Sequence, residues 1–339
     1  MKPGRFRRSG RFVVGFAVLA LAATGCAVDS TPVNLAAASV NPPLPAGIVQ
    51  GAGALAGSSS TAPQNCGDPT ASLSPLTPMP SPGAMPADSS MAAIQKRGYL
   101  IAGVDQGTYL MGYLNPKTNN LEGFDIDMVH DLAQAIFGDP SKVQFRAITS
   151  GQRIPALTNG AGAPQVDVVV RTMTISCARE QQVAFSSVYY DAQQRVLVPK
   201  NSTAQSISDL GGQKVCATTG SDSIAHIAAV STHPIPVAAQ NWPDCLVMLE
   251  QGQVAAVSTD DTILAGMAAQ DPNTKVIGPG FFDEPYGIAM RKNESDFVRF
   301  VNGVLQQVRT SSWTTSYQRW LGPYIQGGNP NPPQPKYSS

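Results

Sequence analysis

The chain has 339 residues, 42% of them hydrophobic and 14% charged, with 23 basic and 23 acidic side chains. At ~150 residues per domain this is roughly two domains, and the balanced charge removes the basic footprint that a nucleic-acid binder needs. Gly 31 and Pro 28 exceed the ordinary share and predict an unstructured segment, while the odd count of five cysteines sets one apart from pairing.

Lys2, Arg5, Arg7, Arg8 and Arg11 precede an uncharged, mostly apolar run over 12–24. The run is shorter than the ~20 residues of a bilayer span, so 1–25 read as a secretory signal rather than a membrane helix. Its end, Leu21-Ala22-Ala23-Thr24-Gly25-Cys26, resembles a bacterial lipobox. That resemblance implies a diacylated Cys26 as mature N-terminus and a lipid anchor on the extracytoplasmic face of the cell membrane. Removing the signal leaves 18 basic against 23 acidic residues, a net charge of −5. Binding of an anion must then rest on local arginines.

Residues 27–90 hold eleven Pro, six Gly, three Asp and no Lys, Arg or aromatic residue. Such a stretch buries too little apolar area to offset its ordering entropy, so 26–90 are expected to be a lipidated, disordered tether. Residues 327–339 are expected to be a flexible tail.

From 91 to 326 short apolar runs alternate with amphipathic segments. Strands are predicted at 99–104, 143–148, 166–170, 195–198, 214–217, 255–257 and 275–277. Helices are predicted at 125–137, 221–230, 244–251, 262–270 and 296–308. The clearest is 125–137, with Ile126, Val129, Leu132, Ala133 and Ile136 on one face and Gly138 then Pro140 at its stop. The alternation predicts an α/β fold with largely parallel sheets, whose ligands sit beyond the carboxyl ends of strands.

With Cys26 acylated, four cysteines remain in an exported chain, where disulfides persist. Three connectivities are open. Cys216 on a strand and Cys245 at a helix start 29 residues later lie in one βαβ-like stretch and are expected to pair, leaving Cys66 for Cys177. His130, His226 and His233 have no metal-ligand spacing, and no metal or other cofactor is expected.

Six stretches, in order, are Leu121-Glu-Gly-Phe-Asp-Ile-Asp-Met128, Thr149-Ser-Gly-Gln-Arg-Ile-Pro-Ala-Leu157, Thr172-Met-Thr-Ile-Ser-Cys-Ala-Arg179, Ser208-Asp-Leu-Gly-Gly-Gln-Lys-Val215, Ser258-Thr-Asp-Asp-Thr-Ile-Leu-Ala-Gly266 and Tyr286-Gly-Ile-Ala289. Together they resemble the polar amino-acid-binding proteins of ABC importers, the cluster-3 solute-binding family, most closely actinobacterial glutamate/glutamine-binding lipoproteins. The resemblance covers about 91–326. It implies a two-lobed, periplasmic-binding-protein-like (type II) α/β fold with two hinge strands. Lobe one would be 91–191 plus 288–326 and lobe two 197–283, with hinges near 191–195 and 284–287. The lobes would close on a polar or acidic amino acid.

A buried carboxylate wants a bidentate arginine fork, and the resemblance places Arg179 there, helped by Thr172 and Thr174. Asp260 would accept the α-ammonium, with Asp261 capping the next helix. Ser150 and Arg153 would read the side chain, with Arg171 as a second cation. Asp105 and Gln106 end the first strand at the cleft edge. Thr218, Ser221, Asp222 and Ser223 form a strand–turn–helix that presents hydroxyls and backbone N–H groups to an anion. Asp222 departs from the small or hydroxyl residue usual there and serves equally well as a helix cap.

The expected function is a monomeric, lipid-anchored receptor that delivers its amino acid (glutamate, aspartate, glutamine or asparagine) to an ABC permease. The same receptor signalling nutrient availability to a membrane sensor protein is the alternative. An enzyme of the dehydratase kind is a second one. Against it, the carboxylates match binding positions and no nucleophile–base or metal set is visible, so the chain is not expected to be an enzyme.

Overall fold

The computed structural model describes residues 42–56, 66–160, 162, 165–325 and 327–338. The signal at 1–25, Cys26 and the tether over 27–41 and 57–65 lie outside them.

Two mixed sheets organise the chain. The first has five strands in the order Val143–Ala147, Leu100–Val104, Val168–Val169, Ala289–Arg291, Val183–Phe185. Leu100–Val104 runs parallel to both of its neighbours, and Ala289–Arg291 returns antiparallel. The second has six, in the order Val49–Gln50, Ile235–Ala239, Lys214–Thr218, Ala256–Asp260, Tyr190–Pro199, Thr274–Tyr286. Its centre is parallel and its flanks are antiparallel. The largely parallel expectation therefore holds for one side of the first sheet and for the centre of the second, and fails for the remaining pairings.

Each sheet lies beside its own apolar core. One is built on Leu100, Ile126, Val129, Leu132, Phe297 and Val301, the other on Val215, Val237, Trp242, Leu249, Val257 and Leu264. The helix Phe124–Phe137 buries Ile126, Val129, Leu132, Ala133 and Ile136, the face its periodicity predicts, and stops at Gly138 in the left-handed conformation. Two long strands connect the lobes. Tyr190–Pro199 and Thr274–Tyr286 pair antiparallel from Tyr190↔Tyr286 to Pro199↔Thr274, with a register shift between Gln194 and Val196.

The segments expected to be tether and tail are ordered wherever they are described. Val49–Gln50 adds an antiparallel edge to the second sheet, and Leu44, Ile48 and Leu55 pack on its core. Farther on, Ala71–Leu73 pairs in parallel with Lys336–Ser338. Leu73, Leu76, Met79 and Met85 pack on the first core, and Gly303 leaves the space that Met79 fills. Asn302 Nδ2 donates to Ser72 Oγ (2.8 Å) and Leu73 O (2.7 Å), and Arg309 Nε donates to Pro333 O (2.8 Å). Eleven prolines over 27–90 and the lack of any aromatic residue there hid these spaced anchors. The body supplies the hydrogen bonds that a Pro-rich segment cannot make with itself.

Disulfides join Cys66 to Cys177 and Cys216 to Cys245, the pairing expected.

Candidate functional site

The lobes meet where both present strand ends and helix starts. The first contributes Ser150–Thr158 and the loop 171–179. At 149–152 a capping box forms, with Gln152 Oε1 accepting from Thr149 N (3.0 Å), and the helix Arg153–Thr158 follows. The second lobe contributes the turn 218–223 after Lys214–Thr218. Gly220 sits at φ +78°, and a Cβ there would come within 2.7 Å of Gly151 Cα. Glycine is thus required for the turn and for the backbone contact between lobes.

Three buried arginines crowd this junction, and each is satisfied differently. Arg171 pairs with Asp105 (2.7 Å) within its own lobe and donates to Ile148 O (2.8 Å) and Ser150 Oγ (2.7 Å). Arg179 donates to Thr174 O (2.8 Å) and pairs across the cleft with Asp222 (2.8 Å). Arg153 has only carbonyls: Ser150 O at 3.0 Å, Thr172 O at 3.0 Å, Gly220 O at 3.1 Å and Arg171 O at 3.4 Å. Burial first, then the charges of Arg179 and Arg171, press its pKa well below the ordinary arginine value. An anionic group placed here is therefore favoured.

Carboxylates and hydroxyls surround them. Asp260 accepts from Tyr286 OH (2.6 Å). Burial first, then the neighbouring Glu284, push its carboxyl well above the usual range. Glu284 accepts from Thr174 Oγ1 and lies 3.1 Å from His226 Nδ1. Ser150 Oγ and Thr218 Oγ1 share a 2.9 Å hydrogen bond between lobes, as Ser223 Oγ and Thr259 Oγ1 do within the second (3.1 Å). Asp260 and Asp261 diverge. Asp261 Oδ1 accepts Thr262 N (2.8 Å) and the side chain lines a separate groove with Asp191, Gln193 and Asp283.

The cavity that remains is about 10 Å³, scarcely one water. Nine expected residues line it: Ser150, Arg153, Thr172, Thr174, Arg179, Ser221, Asp222, Ser223 and Asp260. Thr218 and Arg171 stand behind Ser150, and Asp105 stands behind Arg171. Gln106 is exposed, with its backbone N–H donating to Asp105 Oδ1 and its carbonyl accepting from Leu114 N (2.8 Å). Trp242, Thr259 and Ile263 also line the cavity and were not anticipated. Trp242 begins a helix after Ile235–Ala239, a strand that Pro236 disguises. Glu284, 1% exposed, was anticipated only as part of a hinge. Trp242 Nε1 and Asp222 Oδ1 are enclosed polar atoms without a hydrogen-bond partner.

Asp125 holds the loop from beneath. Thr172 takes φ +40°, a costly conformation for a β-branched residue. Its N–H donates to Asp125 Oδ2 (2.9 Å), while Tyr189 OH donates to Oδ1 (2.7 Å). Asp125→Ala strands both donors, and an unfolding-energy loss of roughly 2–4 kcal/mol is expected by urea titration. Burial raises the Asp125 pKa from 3.8 to about 7, against the pull of Tyr189 and Thr172. A raised carboxyl binds its proton more tightly in the folded state. Its contribution to stability is full below pH 3.8 and is lost as pH rises towards about 7. Asp125→Asn is expected to flatten that slope, read as urea midpoints between pH 4.5 and 8.

Among the described residues no group of three or more His, Cys, Asp or Glu is placed to hold a metal, and no helix is long and apolar enough to cross a membrane.

Residues 100–323 match the family described as bacterial extracellular solute-binding proteins, family 3. The ABC transporter glutamine-binding protein of Bacillus subtilis is 38% identical over 234 residues, covering 68% of this chain and 84% of that one. The glutamate-binding protein of Corynebacterium efficiens is 29% identical over 246 residues, covering 69% and 81%. Among solved structures, an ancestral arginine-binding protein bound to glutamine superposes with a TM-score of 0.61 at 32% identity, covering 67% of this chain and 99% of that one. The two-lobed type II fold is that of its structural neighbours.

Proposed function

Because the chain belongs to the bacterial extracellular solute-binding proteins, family 3, we propose that it is a receptor for a polar or acidic amino acid that works by lobe closure, not by catalysis. The observation that carries the proposal is the convergence of Arg153, Arg179 and Asp260 on one cavity between the lobes, with hydroxyls of Ser150, Thr172 and Thr174.

In this proposal Arg179 takes the α-carboxylate, helped by Thr172, Thr174 and the turn at Ser221 and Ser223. Asp260 takes the α-ammonium, which favours its ionised form. Arg153, a buried cation faced by carbonyls alone, takes the side-chain carboxylate or amide, with Ser150, Thr218 and Arg171 behind it. The strands Tyr190–Pro199 and Thr274–Tyr286 act as the hinge. The names of the Bacillus and Corynebacterium relatives support glutamine or glutamate over other classes. Cys26 is proposed as the lipid anchor at the cell membrane, and an ABC permease as the recipient.

Calorimetric titration with glutamate, glutamine, aspartate and asparagine is expected to give at least one dissociation constant near micromolar, about −8 kcal/mol. Binding of none of the four overturns the proposal. Arg153→Ala is expected to erase the preference between acid and amide; an unchanged preference removes Arg153 from that role. Unchanged uptake of the bound amino acid after deletion of the gene sinks delivery to a permease.

A further inference from the structure

Only one of the three arginines has its charge neutralised across the cleft. Arg171 is neutralised by Asp105 of its own lobe, and Arg153 by no acid at hydrogen-bond distance. Arg179 belongs to the helix Cys177–Glu180 of the first lobe, whereas Asp222 begins the helix Asp222–Ala229 of the second. Their 2.8 Å pair is buried, with side-chain exposures of 3% and 8%. Asp222 Oδ2 sits on the Nη1 edge of the fork, which Thr174 O shares, and Gly220 O holds Nη2 at 3.3 Å. The other oxygen, Oδ1, is enclosed without a hydrogen-bond partner, and the side chain lines the cavity.

We infer that Asp222 is a built-in competitor, an internal carboxylate that grips Arg179 and must be displaced by the carboxylate of an incoming amino acid. Two carboxylates cannot share one arginine edge beside a cavity of about 10 Å³ without repulsion. Opening of the lobes withdraws Asp222 along with its helix and frees the fork. Closure over a bound amino acid then forgoes the Arg179–Asp222 pair. The competitor lowers affinity and also bridges the lobes when Arg179 holds nothing else, so it sets the ligand concentration at which the receptor responds. The inference rests on the amino-acid reading of the cleft, and its test separates the two.

Titration of the full chain, its Asp222→Asn variant and its Asp222→Ser variant with glutamate, glutamine, aspartate and asparagine is the measurement, with circular dichroism to confirm folding. Both variants are expected to bind the preferred amino acid about tenfold more tightly. Affinity equal to or below wild type in both overturns the competitor; a marked loss would mean that Asp222 serves the ligand's ammonium. Small-angle scattering of the three proteins without added amino acid is the second measurement. The variants are expected to show a larger radius of gyration, and an unchanged radius overturns the bridge. If wild type binds none of the four, the amino-acid reading fails by itself and scattering still decides the bridge.

Discussion

Arg179→Ala is expected to weaken binding of the preferred amino acid by about thirtyfold or more, the largest effect of any single substitution in the cleft. The side chain is 2% exposed and is positioned by Thr174 O before any ligand arrives. A preorganised fork in a dry site gives its full charge-assisted bonds, and removal leaves the ligand carboxylate buried without a partner. Such truncations cost ~2–5 kcal/mol, and each 1.4 kcal/mol is about tenfold in affinity. Arg179→Lys is expected to recover little, because an ammonium cannot reproduce two parallel N–H bonds. The substitution also strands Asp222 as an unpaired buried charge, a penalty of its own. Arg179→Ala combined with Asp222→Asn removes that penalty. In the double variant the melting temperature is expected to recover and the affinity to stay low. A single variant within threefold of wild type would take Arg179 out of the binding site.

Much of this arrangement is written in local patterns, and the parts that are not share a cause. Helix Phe124–Phe137 declares itself through a full apolar face and a terminal glycine. The turn at Gly220 is marked by a glycine between short polar residues that follow an apolar run. The pairing of Cys216 with Cys245 follows from one strand and one helix close in sequence. Other features depend on partners far along the chain. Ile235–Ala239 is half-hidden by Pro236 and is completed as a strand by the 42–56 segment on one side and Lys214–Thr218 on the other. Without that strand nothing points to Trp242 at the cavity. The ordered course of 66–90 is dictated by Asn302, Arg299 and Gly303 of a helix more than two hundred residues away. The bonding of Arg153 to four carbonyls, one of them Gly220 O of the opposite lobe, has no signature in Ser150-Gly-Gln-Arg153.

Cys66→Ser with Cys177→Ser is expected to lower stability by about 5 kcal/mol, the largest loss here that is unrelated to ligand contact. The bond spans 111 residues, and in the chain-entropy account a loop of that size costs the unfolded state about that much freedom. The substitution is a clean probe because Cys66 is exposed and Cys177 half-buried, so serine hydroxyls there stay near water. Cys216 and Cys245 are both fully buried, and serine in their place adds a desolvation cost that mixes with the lost link. The double variant of Cys66 and Cys177 is expected to melt on the order of 10 °C below wild type. Two structural features decide whether the loss is global. Residues 66–90 are stitched to the first lobe by Asn302 on Ser72 (2.8 Å) and by Ser90 on Asp296 (2.7 Å), and its core receives Leu73, Leu76 and Met79. If that packing is integral, heat removes it together with the lobe in one transition shifted downwards. If the disulfide alone keeps the segment in place, the variant exposes it to protease near Cys66 while the lobes melt as before, and the entropic assignment fails. Limited proteolysis alongside calorimetry separates the two.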